Sequence, residues 1–289
     1  MLSLADIKRI ALEVGFDDCG VARADALTDE EYPLRQWLAR GWHGDLGYME
    51  RNVEMRMDPR LLVPGARSVI CCISAYPPPE NFPPCGRNPE IPEKNGSMDF
   101  REAGNKVAAY AQHRDYHKDI KQMLFALKER LGIDGKCCCD TVPISDKHWA
   151  ARAGLGWIGR HTLLVTPRWG TWVNLGEIVT TEECSEYSDY SEYSDYSDHS
   201  DFCSHCNRCV AACPNHALAP LDSPPGTGGV AEGRRGRTYM LNVTRCTAYY
   251  NTHRQRPVPP DVDTRGYTLG CDLCQLACPF NQRFLSSTI

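Results

Sequence analysis

Cys203-Ser204-His205-Cys206-Asn207-Arg208-Cys209-Val210-Ala211-Ala212-Cys213-Pro214 is the stretch whose reading decides the fold of the C-terminal part of the chain. Its spacing, C-x2-C-x2-C-x3-C-P, is the run that ligates [4Fe-4S] clusters in bacterial two-cluster proteins. A tight turn lets three thiolates converge on one face of a cubane. The fourth, carried beyond a short helical turn, points toward a second cluster, and Pro214 redirects the chain. Downstream, Cys271-x2-Cys274-x3-Cys278-Pro279 repeats the ending of this run without a nearby first cysteine, which Cys246 can supply from upstream. The expected ligand sets are Cys203, Cys206, Cys209 and Cys278 for one [4Fe-4S] cluster, and Cys213, Cys246, Cys271 and Cys274 for the other. A pair of zinc sites is the competing reading, because CxxC pairs also bind zinc. Three closely spaced ligands plus an exchanged fourth favour the clusters.

The rest of the composition fits a reduced, metal-holding protein. The chain has 289 residues, 42% of them hydrophobic, enough for a substantial core. Its 16 cysteines would suggest disulfides in a small secreted domain, but seven are crowded into two short clusters. The N-terminus, with Leu4, Ile7, Ile10, Ala11 and Val14 at helical spacing among charges, predicts an amphipathic surface helix, not a signal peptide. No apolar run approaches the roughly 20 residues that cross a bilayer. A soluble, cytoplasmic protein without membrane contact, expected as a monomer, is the reading. The net charge of -5 argues against broad adhesion to nucleic acid, yet a local basic patch can still grip one particular RNA.

Residues 1–180 alternate helical patterns at 4–14, 28–40 and 115–131 with β-type runs at 68–73 and 171–175, which predicts an α+β or α/β domain. Gly132 should close the third helix, and the prolines at 77–79, 83 and 84 mark a loop. From Ser185 to Asp201 the sequence becomes SEYSDYSEYSDYSDHSD, an acidic three-residue repeat without an aliphatic residue. Such a stretch is expected to be a solvated linker, so 181–201 separates the first domain from a cluster domain at 202–289. Among the other cysteines, Cys71 and Cys72 sit in an apolar run and read as core. Cys137, Cys138 and Cys139 also read as packing, since neighbours on a strand point to opposite faces and chelate poorly together.

About 60 residues suffice to hold two clusters, so the long N-terminal part is expected to hold the electron acceptor. It lacks a GxxxxGK[ST] loop, and Gly154-Leu155-Gly156-Trp157-Ile158-Gly159 follows a helix pattern instead of a strand, which discounts it as a dinucleotide loop. Two polar groupings stand out. Tyr110-Ala111-Gln112-His113-Arg114-Asp115-Tyr116-His117 is dense in proton donors and acceptors, and Asp140 closes a β-type run before Pro143. Structural roles compete with catalytic ones: Asp115 can cap the helix that follows it, and Asp140 can cap a turn.

Taken in order, Asp58-Pro59, Pro64-Gly65-Ala66-Arg67-Ser68-Val69-Ile70, Arg114-Asp115-Tyr116-His117, Ala153-Gly154-Leu155-Gly156-Trp157-Ile158-Gly159-Arg160 and the two cysteine halves resemble epoxyqueuosine reductases from about residue 5 to 283. The resemblance implies an enzyme that reduces epoxyqueuosine to queuosine at the wobble position of tRNA, the last step of queuosine formation. It implies cobalamin held by a nitroreductase-like N-terminal domain beside a ferredoxin-like domain with two clusters that pass on electrons from a low-potential donor. It implies Asp140 as proton donor beside the cofactor, Asp115 and Tyr116 near the substrate, and Arg56 on the cobalamin. Arg234, Arg235, Arg237, Arg245, Arg254 and Arg256 are then expected to meet the tRNA.

The chain departs from the family pattern at Val142 and in Thr247-Ala248-Tyr249-Tyr250-Asn251-Thr252-His253, and its end at Ile289 is read as a short or truncated form lacking a helical-repeat domain. The alternatives are a pure electron carrier and a cobalamin-dependent reductive dehalogenase.

Overall fold

The computed structural model describes residues 2–79, 106–188, 203, 205–220, 239–252 and 257–283. Its centre is a four-stranded antiparallel sheet of β1 (Asp18–Arg23), β2 (Ser68–Ala75), β4 (Lys136–Cys138) and β7 (Val173–Thr180), in the order β1-β2-β7-β4. β2 forms the middle with β7, in a register that sets Cys71 opposite Glu177 and Ile70 opposite Ile178.

Both faces of this sheet are covered, which explains why β2 reads as a continuous apolar run instead of an alternating one. On one face lie α1 (Leu4–Glu13) and α4 (Tyr116–Leu131), whose Leu4, Ile7, Ile10, Ile120, Leu124 and Leu127 pack on Cys19, Val21, Ile70, Cys72 and Ile178. On the other, α5 (Asp146–Arg152) sets Trp149, Ala150 and Ala151 against Val69, Cys71, Ile73, Cys138 and Val179. Adjacent cysteines therefore part company, Cys71 and Cys138 to one core and Cys72 and Cys139 to the other. This is the period-two geometry expected of a strand.

The helix signals hold. Asp115 accepts a hydrogen bond from the His117 backbone N–H as the N-cap of α4, and Gly132, at φ +64°, ends it. The cap is worth about 1 kcal/mol, while each of the three buried aliphatics of α4 contributes about 1.5–3 kcal/mol. Packing, not capping, therefore fixes where α4 sits. The helices α2 (Thr28–Ala39) and α3 (Val53–Met57) lie on the α5 side, with Met57 in the core there. No helix among the described residues is long and apolar enough to cross a membrane.

Two local expectations change. The run read as a strand at 171–175 is the beginning of a longer one, since β7 starts at Val173 and continues through the polar Glu177 and Thr180. The acidic repeat begins inside the fold. The Ser188 backbone N–H donates to the Val21 carbonyl (2.9 Å), its hydroxyl accepts from the Val21 N–H (3.0 Å), and Arg23 lies over the Tyr187 ring at 4.3 Å. The reason is that β1 is an edge strand whose free backbone groups need partners, which Ser188 supplies. Residues 189–201 of the repeat lie outside the described residues.

The cysteine-rich part is built from short pieces: α6 (Arg208–Ala212), the hairpin-like pair β8 (Leu218–Pro220) and β9 (Tyr239–Leu241), α7 (Thr247–Thr252), β10 (Tyr267–Leu269), α8 (Leu273–Leu276) and α9 (Pro279–Arg283). It is sewn to the first part at several points. β3 (Lys106–Val107) pairs in parallel with β10, the Trp37 indole donates to the Leu241 carbonyl (2.6 Å), and the Val243 N–H donates to the Trp42 carbonyl (2.9 Å).

Close approach is a design constraint at Gly20 in β1, where a Cβ would fall 2.1 Å from the Ala153 carbonyl oxygen. Gly20→Ala should therefore cost about 1–3 kcal/mol by overpacking, read as a lowered thermal midpoint. An unchanged midpoint would contradict this packing of β1 on the loop after α5.

Candidate functional site

The seam between the sheet and the cysteine-rich part encloses a cavity of about 390 Å3. The cavity is lined by Tyr76, Tyr110 and Tyr116 and by Cys213, Cys246, Cys271 and Cys274. The wall of cysteines is held in place by Asp272, which is 1% exposed and accepts a hydrogen bond from the Ala109 N–H at 2.8 Å. That bond fixes the 3-10 turn bearing Tyr110 directly to the cysteine-bearing loop.

The thiols form two neighbourhoods. Cys246, Cys271 and Cys274 feel one another and Cys213 electrostatically, while Cys278 feels Cys203 and Cys209, and Cys209 feels Cys203 and Cys206. Cys274 also feels Cys209, so the two neighbourhoods adjoin. Burial pushes the thiols up, to about 12 for Cys271 and Cys278 and about 11 for Cys209, so an iron that takes them as thiolates displaces protons. Among the described residues no three such side chains converge as around a single ion. Cys213, Cys246, Cys271 and Cys274 instead surround a space.

The glycine-rich segment after α5 belongs to the other thiol set. Trp157 on β5 (Trp157–Ile158) and Val165 on β6 (Leu164–Val165) form a small core with Cys278 and Phe280, the Trp157 and Phe280 rings meeting edge to face at 4.8 Å. The Arg160 backbone N–H and the Trp157 indole approach the Cys203 sulfur. As expected, this segment follows a helix; its glycines serve close packing, since a Cβ on Gly156 (φ +156°) would fall 2.1 Å from the Val165 carbonyl oxygen.

On the sheet side, the residues singled out at 115–117 and 140 form one network. The Tyr116 hydroxyl donates to Asp140 Oδ2 (2.7 Å), His117 Nε2 lies 3.0 Å from the same oxygen, and His117 Nδ1 lies 2.7 Å from Asp115 Oδ1. Tyr116 and His117 stack at 4.1 Å. Asp140 sits two residues past β4 at φ +54°, a left-handed conformation that aspartate tolerates better than most residues. Asp140 is half exposed and meets the cavity through Tyr116, which lines it. Burial and the Asp140 charge raise the Tyr116 phenol well above its ordinary value. His117, the bridge between the two carboxylates, was seen in the sequence only as part of a polar stretch.

Lys147 and His161 also line the cavity. His161 is buried, its Nδ1 accepts the Leu163 N–H (3.2 Å), and its Nε2 has no partner. Burial lowers its value to about 4, so the ring is neutral and Nε2 carries its hydrogen. Arg56 is placed elsewhere: its guanidinium donates to the Tyr48 carbonyl (3.0 Å), its Nε is unpartnered, and it does not line the cavity. Arg245 is exposed, and Arg234, Arg235, Arg237, Arg254 and Arg256 lie outside the described residues.

A family model described as "Epoxyqueuosine reductase QueG, DUF1730" matches residues 56–141, and one described as "4Fe-4S dicluster domain" matches 202–282. An epoxyqueuosine reductase of Leadbetterella byssophila is 31% identical over 283 residues, 96% of this chain and 79% of that protein. One from Gloeobacter violaceus is 33% identical over 288 residues, 96% of this chain and 76% of the relative. The chain belongs to the epoxyqueuosine reductase family. Like its relatives in that family, it is an oxidoreductase. The fold agrees: an epoxyqueuosine reductase solved with an epoxyqueuosine-modified tRNA-Tyr stem loop superposes with a TM-score of 0.70 at 24% identity, covering 96% of this chain and 65% of that one. The reductive dehalogenase NpRdhA shares the fold more distantly, with a TM-score of 0.54 at 16% identity, 95% of this chain and 31% of that one covered.

If the thiol neighbourhoods are ligand sets, Cys274→Ala and Cys206→Ala should each lose roughly half of about eight irons per chain, measured by iron analysis and electron paramagnetic resonance. Variants that keep all the iron would contradict the grouping.

Proposed function

We propose that this chain reduces epoxyqueuosine to queuosine in tRNA, with Asp140 as the acid that delivers a proton to the departing oxygen. The observation that carries the reading is the Asp115–His117–Asp140–Tyr116 network, which reaches through Tyr116 a cavity that Cys213, Cys246, Cys271 and Cys274 also line. Opening an epoxide and losing its oxygen as water takes two electrons and two protons. In this reading the proton-bearing network and the thiols proposed to bind iron meet at one cavity, the network through Tyr116.

The donor set fits cobalamin. Three tyrosines offer surface to the apolar face of a corrin, while Lys147 and the unpartnered Nε2–H of His161 can meet the amides of its rim. When bound, cobalamin supplies a low-potential cobalt centre, chemistry that no side chain offers. In this reading residues 1–180, a nitroreductase-like layer, hold cofactor and substrate. Residues 202–289 hold the two clusters on Cys203, Cys206, Cys209 and Cys278 and on Cys213, Cys246, Cys271 and Cys274, and 181–201 join the two parts. Arg56 would reach only an outlying part of the cofactor, by its unpartnered Nε.

The remaining work belongs to side chains. Tyr116 orients Asp140 by its hydroxyl, and His117, with nitrogens toward both Asp115 and Asp140, can take a proton from the solvent-facing Asp115 side and return it to Asp140. The tRNA would approach over the exposed Arg245. Action on tRNA implies the cytoplasm and a soluble low-potential electron donor.

Anaerobic incubation of the reconstituted protein with cobalamin, a strong reductant and epoxyqueuosine-containing tRNA, followed by nucleoside mass spectrometry, tests the reading. The expected product is queuosine, lighter by one oxygen. Asp140→Asn should retain iron and corrinoid yet lose turnover by about 10²-fold or more. Full turnover in that variant would remove Asp140 from the role.

A further inference from the structure

Behind Asp140 lies a second acidic feature that the proton network does not use. Glu177, in the middle of β7, is 0% exposed, and neither carboxyl oxygen meets a donor. Asp146, the first residue of α5, reaches it within hydrogen-bonding range, and its Oδ1 is likewise buried without a donor. Two carboxyls that face each other without a donor between them hold together only by sharing a proton.

Their position gives the pair a task. Glu177 is the register partner of Cys138, two residues before Asp140, and Asp146 lies six residues after it. Both ends of the loop that carries Asp140 therefore converge on one residue, Cys138 through the β4–β7 ladder and Asp146 through the Glu177 carboxyl. Within the loop the backbone bonds are local, Thr141 N–H to the Cys139 carbonyl (2.6 Å) and Ile144 N–H to the Val142 carbonyl (2.8 Å), and do not tie it to the sheet.

We propose that Glu177 and Asp146 form a carboxyl clasp that closes the Asp140 loop against the sheet, which makes both of them positioning residues for epoxide reduction. The proposal rests on the reading of Asp140 as proton donor.

No donor from the surrounding groups reaches the Glu177 oxygens or Asp146 Oδ1. Cys71 on β2 and Cys138 and Cys139 on and after β4 face it as thiols that burial keeps protonated. Asp140 adds negative charge. Lys147 on α5 donates to the Thr162 carbonyl, and both it and Arg56 on α3 act on Asp146 only through their fields. Burial, with the Asp140 charge, moves Asp146 up to about 6 against the lowering pull of the Glu177 contact, while burial and the Asp146 charge lift Glu177 well above the ordinary carboxyl range. Raised folded-state values mean that the stabilisation is complete in acid and lost as pH rises through them. Near neutrality one proton remains and the clasp is shut; in alkali the last proton leaves, the charges repel, and the loop is freed.

Hydrogen–deuterium exchange of the full reconstituted chain at about pH 7 and about pH 9 reads the loop directly, since buried glutamates lose their proton in this range. Corrected for intrinsic rates, protection of the 139–146 amides should fall by about tenfold while that of α1 stays level. Glu177→Gln keeps a donor toward Asp146 at every pH, so its loop should stay protected and its kcat should lack the alkaline fall expected of the wild type, with KM unchanged. Glu177→Ala should expose the loop at both pH values. Equal pH dependence in wild type and Glu177→Gln, or none in either, would overturn the clasp. Asp140→Asn should lose turnover while keeping the pH-dependent loop. If it keeps turnover instead, the proton-donor reading falls and the clasp, judged by exchange, stands.

Discussion

The buried amide of Asn281 is the interaction on which the site depends. Its side chain is 0% exposed; it accepts the Thr171 N–H (2.6 Å) and donates to the Thr171 hydroxyl (2.7 Å) and to the Gln275 carbonyl (2.7 Å). One side chain thereby joins the segment that leads into β7 to the short helix α8 that carries Cys274. Space for it exists only because Gly170, at φ +57°, carries no Cβ, which would lie 2.1 Å from the Asn281 amide oxygen. A buried amide that loses its partners costs about 1–3 kcal/mol, so the seam has one favoured register and the cavity walls keep their spacing. Asp272 repeats the device at the other edge, holding the Tyr110 turn through the Ala109 N–H.

Around this seam the chemistry divides cleanly. The thiol wall comes from short helices and loops whose geometry is set by where ligands must point, and the proton-bearing wall comes from a long helix and a sheet whose geometry is set by packing. Asp140 stands where these demands meet, on a left-handed residue after a three-residue strand, exposed enough to exchange protons and close enough to Tyr116 to be aimed.

Much of this was legible in the sequence for a physical reason: the signals were local. Ligand spacing in Cys203–Cys213 and Cys271–Cys278 fixes which thiols can share a centre, the Asp115 cap and Gly132 bracket α4, and the apolar run at Cys71 and Cys72 announces a strand buried on both sides. Other features depend on what packs against them. Glu177 looks like a solvent-facing strand residue and is buried because α5 covers its face. Ser188 reads as part of a solvated repeat and is docked because β1 is an edge strand. His117 joins two carboxylates 25 residues apart in sequence, Asp115 and Asp140, and only the fold brings them to one ring. Arg56, expected at the cofactor, turns instead toward Tyr48.

The central claim is that one cavity places cobalamin against the thiol set of Cys213, Cys246, Cys271 and Cys274. Electron paramagnetic resonance of the reconstituted, cobalamin-loaded and partly reduced protein tests it most directly. The account predicts a cob(II)alamin signal split or broadened by a neighbouring reduced cluster, with the splitting lost in Cys274→Ala. An unperturbed cobalamin signal in protein that holds both clusters would contradict it.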